Sequence, residues 1–121
     1  MQIAQKNFYK KLLGRVGEKK AGEFLKKKGY KILETNYKTH VGEIDVIAMD
    51  DEQVVFVEVK TRTNDDFGSP SEAVNRKKQE KYYKVATEFL MREELSDRVC
   101  RFDVVEIENG QINHIFNAFG M

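Results

Sequence analysis

The stretch GEIDVIAMDDEQVVFVEVKTR, residues 42–62, decides how this chain folds. Two apolar alternating runs, Gly42–Met49 and Val54–Arg62, flank the acidic turn Asp50-Asp51-Glu52, a pattern that predicts a β-hairpin. Side chains two apart on a strand share a face, so Glu43 groups with Asp45, and Glu58 with Lys60. In the second run Val55, Val57 and Val59 take one face while Phe56, Glu58, Lys60 and Arg62 take the other. The valine row marks this as an inner strand packed against a core. A carboxylate and an ammonium on such a strand are costly unless they are paired or hold a metal. In register, Asp45 approaches Glu58, and two carboxylates that close repel unless a cation lies between them. Mg²⁺ binds a few carboxylate oxygens and keeps several waters, which suits a phosphate site. Lys60 would then orient or deprotonate water, or neutralise a phosphate. The same spacing also fits a plain cross-strand Asp–Lys–Glu ion-pair face, and spacing alone does not choose between the two.

Working outward, residues 5–28 have helical periodicity in Phe8, Leu12, Leu13, Val16, Phe24 and Leu25, with Gly29 as the stop signal. Gly14, Gly17 and Gly22 weaken that helix by up to about 1 kcal/mol each relative to Ala, and three on one helix suggest close packing or a bend. Tyr30–Tyr37 reads as an edge strand. After a loop over Thr63–Pro70, Ser69-Pro70-Ser71-Glu72 is a helix-start signature. The helix it opens should reach about Glu94, burying Ala73, Val74, Val85, Ala86, Phe89 and Leu90. Val99–Glu108 is another strand, and Asn109-Gly110 signals a two-residue hairpin into Ile112–Phe119. The expected order is α-β-β-β-α-β-β in a single domain spanning residues 1–121.

Composition excludes several classes. At 40% hydrophobic and 34% charged, with one Pro, the chain has the make-up of a soluble globular protein. One cysteine, Cys100, rules out an internal disulfide and a multi-cysteine zinc site. The N-terminus lacks an apolar leader and no segment approaches membrane-spanning length, so a cytoplasmic location is expected. The net charge of +1 conceals an asymmetry. Residues 1–40 hold eleven Lys/Arg against Glu18, Glu23 and Glu34, a balance of +8, leaving −7 for the rest. A basic end for phosphates and an acidic part for cations suit a metal-dependent nucleic-acid protein; on charge alone a solvated basic helix face is the better account.

Further pieces stand with the central stretch: Gly14-Arg15-Val16-Gly17-Glu18 with Ala21, Gly29-Tyr30, Asn36-Tyr37, Phe67-Gly68 and Arg101-Phe102-Asp103-Val104-Val105. Together with Gly42-Glu43-Ile44-Asp45-Val46-Ile47-Ala48 and Val57-Glu58-Val59-Lys60-Thr61-Arg62, this series resembles the YraN-like family of the restriction-endonuclease-like, PD-(D/E)XK, superfamily. The resemblance spans roughly residues 12–118. Its specificity lies in the full series, because Asp45 followed by Glu58-Val59-Lys60 is a weak pattern alone. Ile44 stands where the superfamily's name-giving Pro would be, a departure that touches geometry more than chemistry. The resemblance implies an α/β fold with a mixed central β-sheet flanked by α-helices. It also implies Mg²⁺ or Mn²⁺ at Asp45 and Glu58, and a likeness to Holliday-junction resolvases. In those enzymes a helix-borne glutamate completes the site, and Glu18 takes its place here.

The expected activity is hydrolysis of DNA phosphodiesters by Glu18, Asp45, Glu58 and Lys60, on branched or single-stranded structures. Arg62, Lys19 and Lys20 are the expected phosphate contacts. Arg76, Lys77, Lys78, Lys81 and Lys84 stripe the second helix and either grip a backbone or face solvent. Glu43 is a supporting acid or a surface one, and Asp103 a structural partner or a site residue. Tyr82 and Tyr83 could stack on bases, although core packing explains at least one of them. Two other classes remain open, a non-catalytic nucleic-acid-binding module and an adaptor using Ile112–Phe119. A homodimer is expected if both strands of a duplex are cut.

Overall fold

The computed structural model describes residues 3–62 and 75–120, with the backbone alone described over 3–11. Its centre is β3 (Gln53–Arg62), whose alternating apolar side chains are buried on both faces. Val54 and Phe56 pack with Tyr82, Val85, Ala86 and Phe89 of α2 (Arg76–Arg92). Val55 and Val57 pack with Ala21 and Leu25 of α1 (Ile3–Lys27). A strand covered on both sides needs apolar residues at odd and even positions alike, and residues 54–57 supply them.

The other strands are β1 (Lys31–Lys38), β2 (Glu43–Asp50), β4 (Cys100–Glu108) and β5 (Gln111–Phe119). They form one five-stranded sheet in the order β1-β2-β3-β4-β5. β3 and β4 run parallel and the remaining pairs antiparallel, so the sheet is mixed. Parallel neighbours cannot be joined by a tight turn. The connection carries α2 across one face, and α1 covers the other. The element order is that expected from the sequence, and the mixed sheet flanked by helices is that implied by the resemblance.

Local chemistry explains the boundaries. α1 ends as the Tyr30 N–H donates to Leu25 O and the Gly29 N–H to Lys26 O, with Gly29 at φ +96°. That is a Schellman arrangement, and Leu25 and Tyr30 meet in the core beside it. Asn109 and Gly110 both have positive φ, 50° and 79°, as a type I′ hairpin turn requires. α2 starts at Arg76, where the Asn75 side chain accepts from Lys78 N. The anticipated start at Ser69-Pro70-Ser71-Glu72, with Ala73 and Val74, lies outside the described residues. Tyr82, Val85, Ala86 and Phe89 give α2 a 3-4-7 apolar stripe, which docks it.

A polar hub sits under α1. Asp103, fully buried, accepts from Arg101 Nε at 3.1 Å and from Asn117 N at 2.9 Å, and lies 2.7 Å from His114 Nε2. Arg101 also reaches Asp50, Gln53 and Tyr30. Asp103 is therefore a structural partner tying β4 and β5 to the β2–β3 turn. Among the described residues, no helix is long and apolar enough to cross a membrane.

Candidate metal centre

β2 and β3 pair from Asp50↔Gln53 up to Val46↔Val57, and there the ladder opens. The next backbone donor, Val59 N–H, is taken instead by Asp45 Oδ2 at 2.8 Å. A strand donor that loses its ladder partner must find another acceptor, and the Asp45 side chain supplies it. This bond pins the carboxylate in the fork between the two strands. The fork widens into a cleft of about 840 Å³, bounded by α1, the ends of β2 and β3, and the N-terminal turns of α2.

Acidic groups converge there. Glu18, Glu43 and Asp45 each place a carboxylate oxygen within 4.8 Å of the others. Glu58, 6% exposed, stands beside this trio and shares a hydrogen bond with Asp45. Glu18 shares another with Asp45 and is also bonded to Asn36. Burial first, and then the Asp45 charge, push the Glu58 carboxyl up to about 7, against the pull of the Lys78 ammonium. The same two causes raise Glu18 to about 7. Carboxyls that crowded share protons unless a cation neutralises them. The all-oxygen donor set fits a hard divalent cation such as Mg²⁺ or Mn²⁺. The Glu18, Glu43 and Asp45 group could therefore hold a metal ion.

Glu18 owes its position to Gly17. A methyl group built on Gly17 would collide with the Thr61 hydroxyl of β3, whereas Gly14 and Gly22 have nothing within 4 Å. α1 therefore rides against β3 at Gly17. Thr61 Oγ1 beneath it is, among the described residues, a buried side-chain oxygen with no hydrogen-bond partner. The close approach brings the next residue, Glu18, to the fork.

The remaining candidates fall in different places. Lys60 is half-buried and lines the cleft, as its alternation with Glu58 predicts. Lys19 and Lys20 are exposed on α1, and Lys19 borders a second groove with Arg15, Glu18 and Lys26. Arg62, expected at phosphate, is instead 8% exposed and ion-paired through Nε to Glu106 of β4. One strand turn beyond Lys60 the sheet is still covered, so this guanidinium is engaged inside the fold. Tyr82 is buried in the core, and Tyr83 packs edge-on against Phe102.

Glu43, left open by alternation, belongs to the acidic trio and also meets Lys38 at 3.7 Å. Lys78 had no individual signal. Its Nζ lies 2.7 Å from Glu58 Oε1, and Lys77 and Lys81 line the same cleft. In the sequence Lys78 was one of five in the basic stripe Arg76, Lys77, Lys78, Lys81 and Lys84 of the second helix.

The fold and site thus define an α/β protein with a carboxylate-lined cleft, suited to a divalent cation, at the open end of a mixed sheet. The model of the uncharacterised protein family UPF0102 matches residues 17–107, and the chain belongs to that family. It is 48% identical over 121 residues to the UPF0102 protein of Caldanaerobacter subterraneus, covering 94% of this chain and 99% of that one. The UPF0102 protein of Clostridioides difficile is 46% identical over 108 residues, covering 88% of this chain and 95% of the relative. A further relative, from Thermodesulfovibrio yellowstonii, is 48% identical over 107 residues, with the same coverages.

Proposed function

We propose that this protein is a Mg²⁺- or Mn²⁺-dependent endonuclease of the restriction-endonuclease-like superfamily, hydrolysing phosphodiesters of branched or single-stranded DNA. The observation that carries this reading is the convergence of Glu18, Asp45 and Glu58, from three separate elements, on one cleft that Lys60 also lines. Glu18, Glu43 and Asp45 would hold the cation, with Glu58 available as a further ligand. When bound, the ion would supply Lewis acidity toward a phosphate oxygen and make water a stronger acid.

The chain's own residues do the rest. Asp45, fixed by the Val59 N–H, sets the position of the carboxylate group. Lys60 holds its ammonium in the cleft, where it orients the attacking water or offsets charge gathering on the phosphate. Lys77 and Lys81 draw the polyanionic backbone towards the opening. Phosphate contacts fix position and not sequence, so ammoniums lining the cleft favour recognition of DNA structure.

The test is a cleavage assay on linear, single-stranded, flapped and four-way DNA with Mg²⁺ or Mn²⁺, comparing wild type with Asp45→Ala. Metal-dependent cutting of at least one form, lost in the variant, is the expected result. Binding without cutting of all four would instead favour a non-catalytic nucleic-acid-binding module.

A further inference from the structure

Of the four acids at the fork, Glu58 alone is held by a side chain from α2. Lys78 spans the cleft to do this: its backbone N–H donates to Asn75 Oδ1 at 2.9 Å, and its Nζ lies 2.7 Å from Glu58 Oε1. The ammonium also lies 6.0 Å from the centre of the Tyr82 ring. The two ends of the ion pair differ in exposure. The Glu58 side chain is 8% exposed and that of Lys78 42%, so Lys78 is the partner that links the buried carboxylate to solvent. Lys78 is thus the more accessible member of the pair to an approaching anion. Glu58 is not one of the trio of Glu18, Glu43 and Asp45, but its carboxyl adjoins it through Asp45.

A buried carboxylate beside Asp45 needs a positive partner, and Lys78 fills that place when no metal does. A divalent cation bound to Glu58 would repel the ammonium, so the two compete for one carboxylate. A phosphodiester in the cleft offers Lys78 an alternative anion. We propose that Lys78 is a tethered counter-ion that occupies Glu58 beside the metal group and frees it for the cation when a substrate phosphodiester takes the ammonium, coupling cation binding to phosphate binding. The proposal rests on the metal-centre reading above and adds to it the residue that links the two ligands. Such coupling is reciprocal, so the phosphodiester tightens the cation by the factor with which the cation tightens the phosphodiester.

The experiment measures Mn²⁺ affinity by calorimetry on the full chain, with and without millimolar amounts of a dinucleotide carrying one phosphodiester. In wild type the dinucleotide should tighten Mn²⁺. Lys78→Met should tighten Mn²⁺ alone by about two- to fivefold, the range for a partly exposed ion pair, and should shrink the dinucleotide effect. Lys78→Arg keeps a cation on Glu58 with a firmer grip, so its Mn²⁺ affinity alone should match or fall below wild type. This opposite sign keeps the test decisive should the Met variant fold poorly. Lys81→Met removes a cleft ammonium that no described carboxylate holds, and should change Mn²⁺ affinity less than Lys78→Met. Equal tightening by Lys78→Met and Lys81→Met would reduce the effect to general charge and overturn the proposal. Unchanged or weaker Mn²⁺ binding by folded Lys78→Met would overturn it too, while leaving the nuclease reading intact. Failure of the wild type to cut DNA would remove that reading without altering these affinities. No Mn²⁺ binding by wild type would end both.

Discussion

Lys60 and Lys78 put two ammoniums into one cleft in different circumstances. Lys78 is paired with Glu58, whereas among the described residues no carboxylate lies within ion-pair distance of Lys60. An ammonium that no described carboxylate holds has its charge available when negative charge grows on a reacting phosphate, so its contribution falls mainly in the transition state. Lys60→Ala should therefore lower DNA cleavage by about 10²–10³-fold while changing DNA affinity little, since one lysine among many adds little to phosphate attraction. Single-turnover rates alongside binding titrations separate the two effects. A proportionate loss of affinity and rate would make Lys60 an ordinary phosphate contact.

At the scale of the element, α1 depends on one glycine more than on its neighbours. Gly17→Ala pushes a methyl into the Thr61 hydroxyl of β3, and overpacking of that kind costs about 1–3 kcal/mol. Gly14→Ala and Gly22→Ala meet nothing within 4 Å and sit in a helix interior, so each should stabilise by up to about 1 kcal/mol. Urea denaturation of the three variants checks the contrast in sign. Because Glu18 follows Gly17 directly, Gly17→Ala should also weaken Mn²⁺ binding, which the other two should leave alone. A Gly17→Ala protein as stable as Gly22→Ala would mean that α1 does not ride on β3 as closely as the geometry requires.

For the molecule as a whole, the crowded carboxyls make stability depend on pH and on metal together. Glu18 and Glu58 titrate at about 7 in the folded protein, above their ordinary value of 4.5. Below that ordinary value both are protonated, folded or unfolded, and their contribution is fully present. Between about 4.5 and 7 the folded form holds more protons than the unfolded one, so stability falls as pH rises and the contribution is lost above about 7. Mn²⁺ takes the place of those protons, so its binding strengthens through the same window. The metal-free protein should thus lose melting temperature from pH 5 to pH 8, and Mn²⁺ should restore more at pH 8 than at pH 5. Glu58→Gln should flatten that fall, and thermal scans of both proteins measure it. A variant with the same pH slope as wild type would show that Glu58 does not titrate where its burial puts it.

What the chain determined by itself was local. The residue-by-residue alternation of 42–62 set the β2–β3 hairpin and put Glu58 and Lys60 on one face. Gly29 and Asn109-Gly110 marked a helix end and a hairpin turn, because positive φ is cheap for few residues. Asp45 and Glu58 were legible as neighbours because strand pairing propagates across a tight turn. What alternation cannot carry is which residue another element brings in. Glu18 could be matched to the site only through the resemblance, because no strand period relates a helix to a sheet fork. Its meeting with Asp45 depends on how closely α1 packs at Gly17, and Lys78 reaches Glu58 only because the β3–β4 crossover lays α2 over that face. Arg62 and Glu106, forty-four residues apart, meet because β4 pairs in parallel with β3. Strand parity could not tell a covered strand end from an open one, so Arg62 read as a phosphate contact when the tertiary structure had already given it a partner.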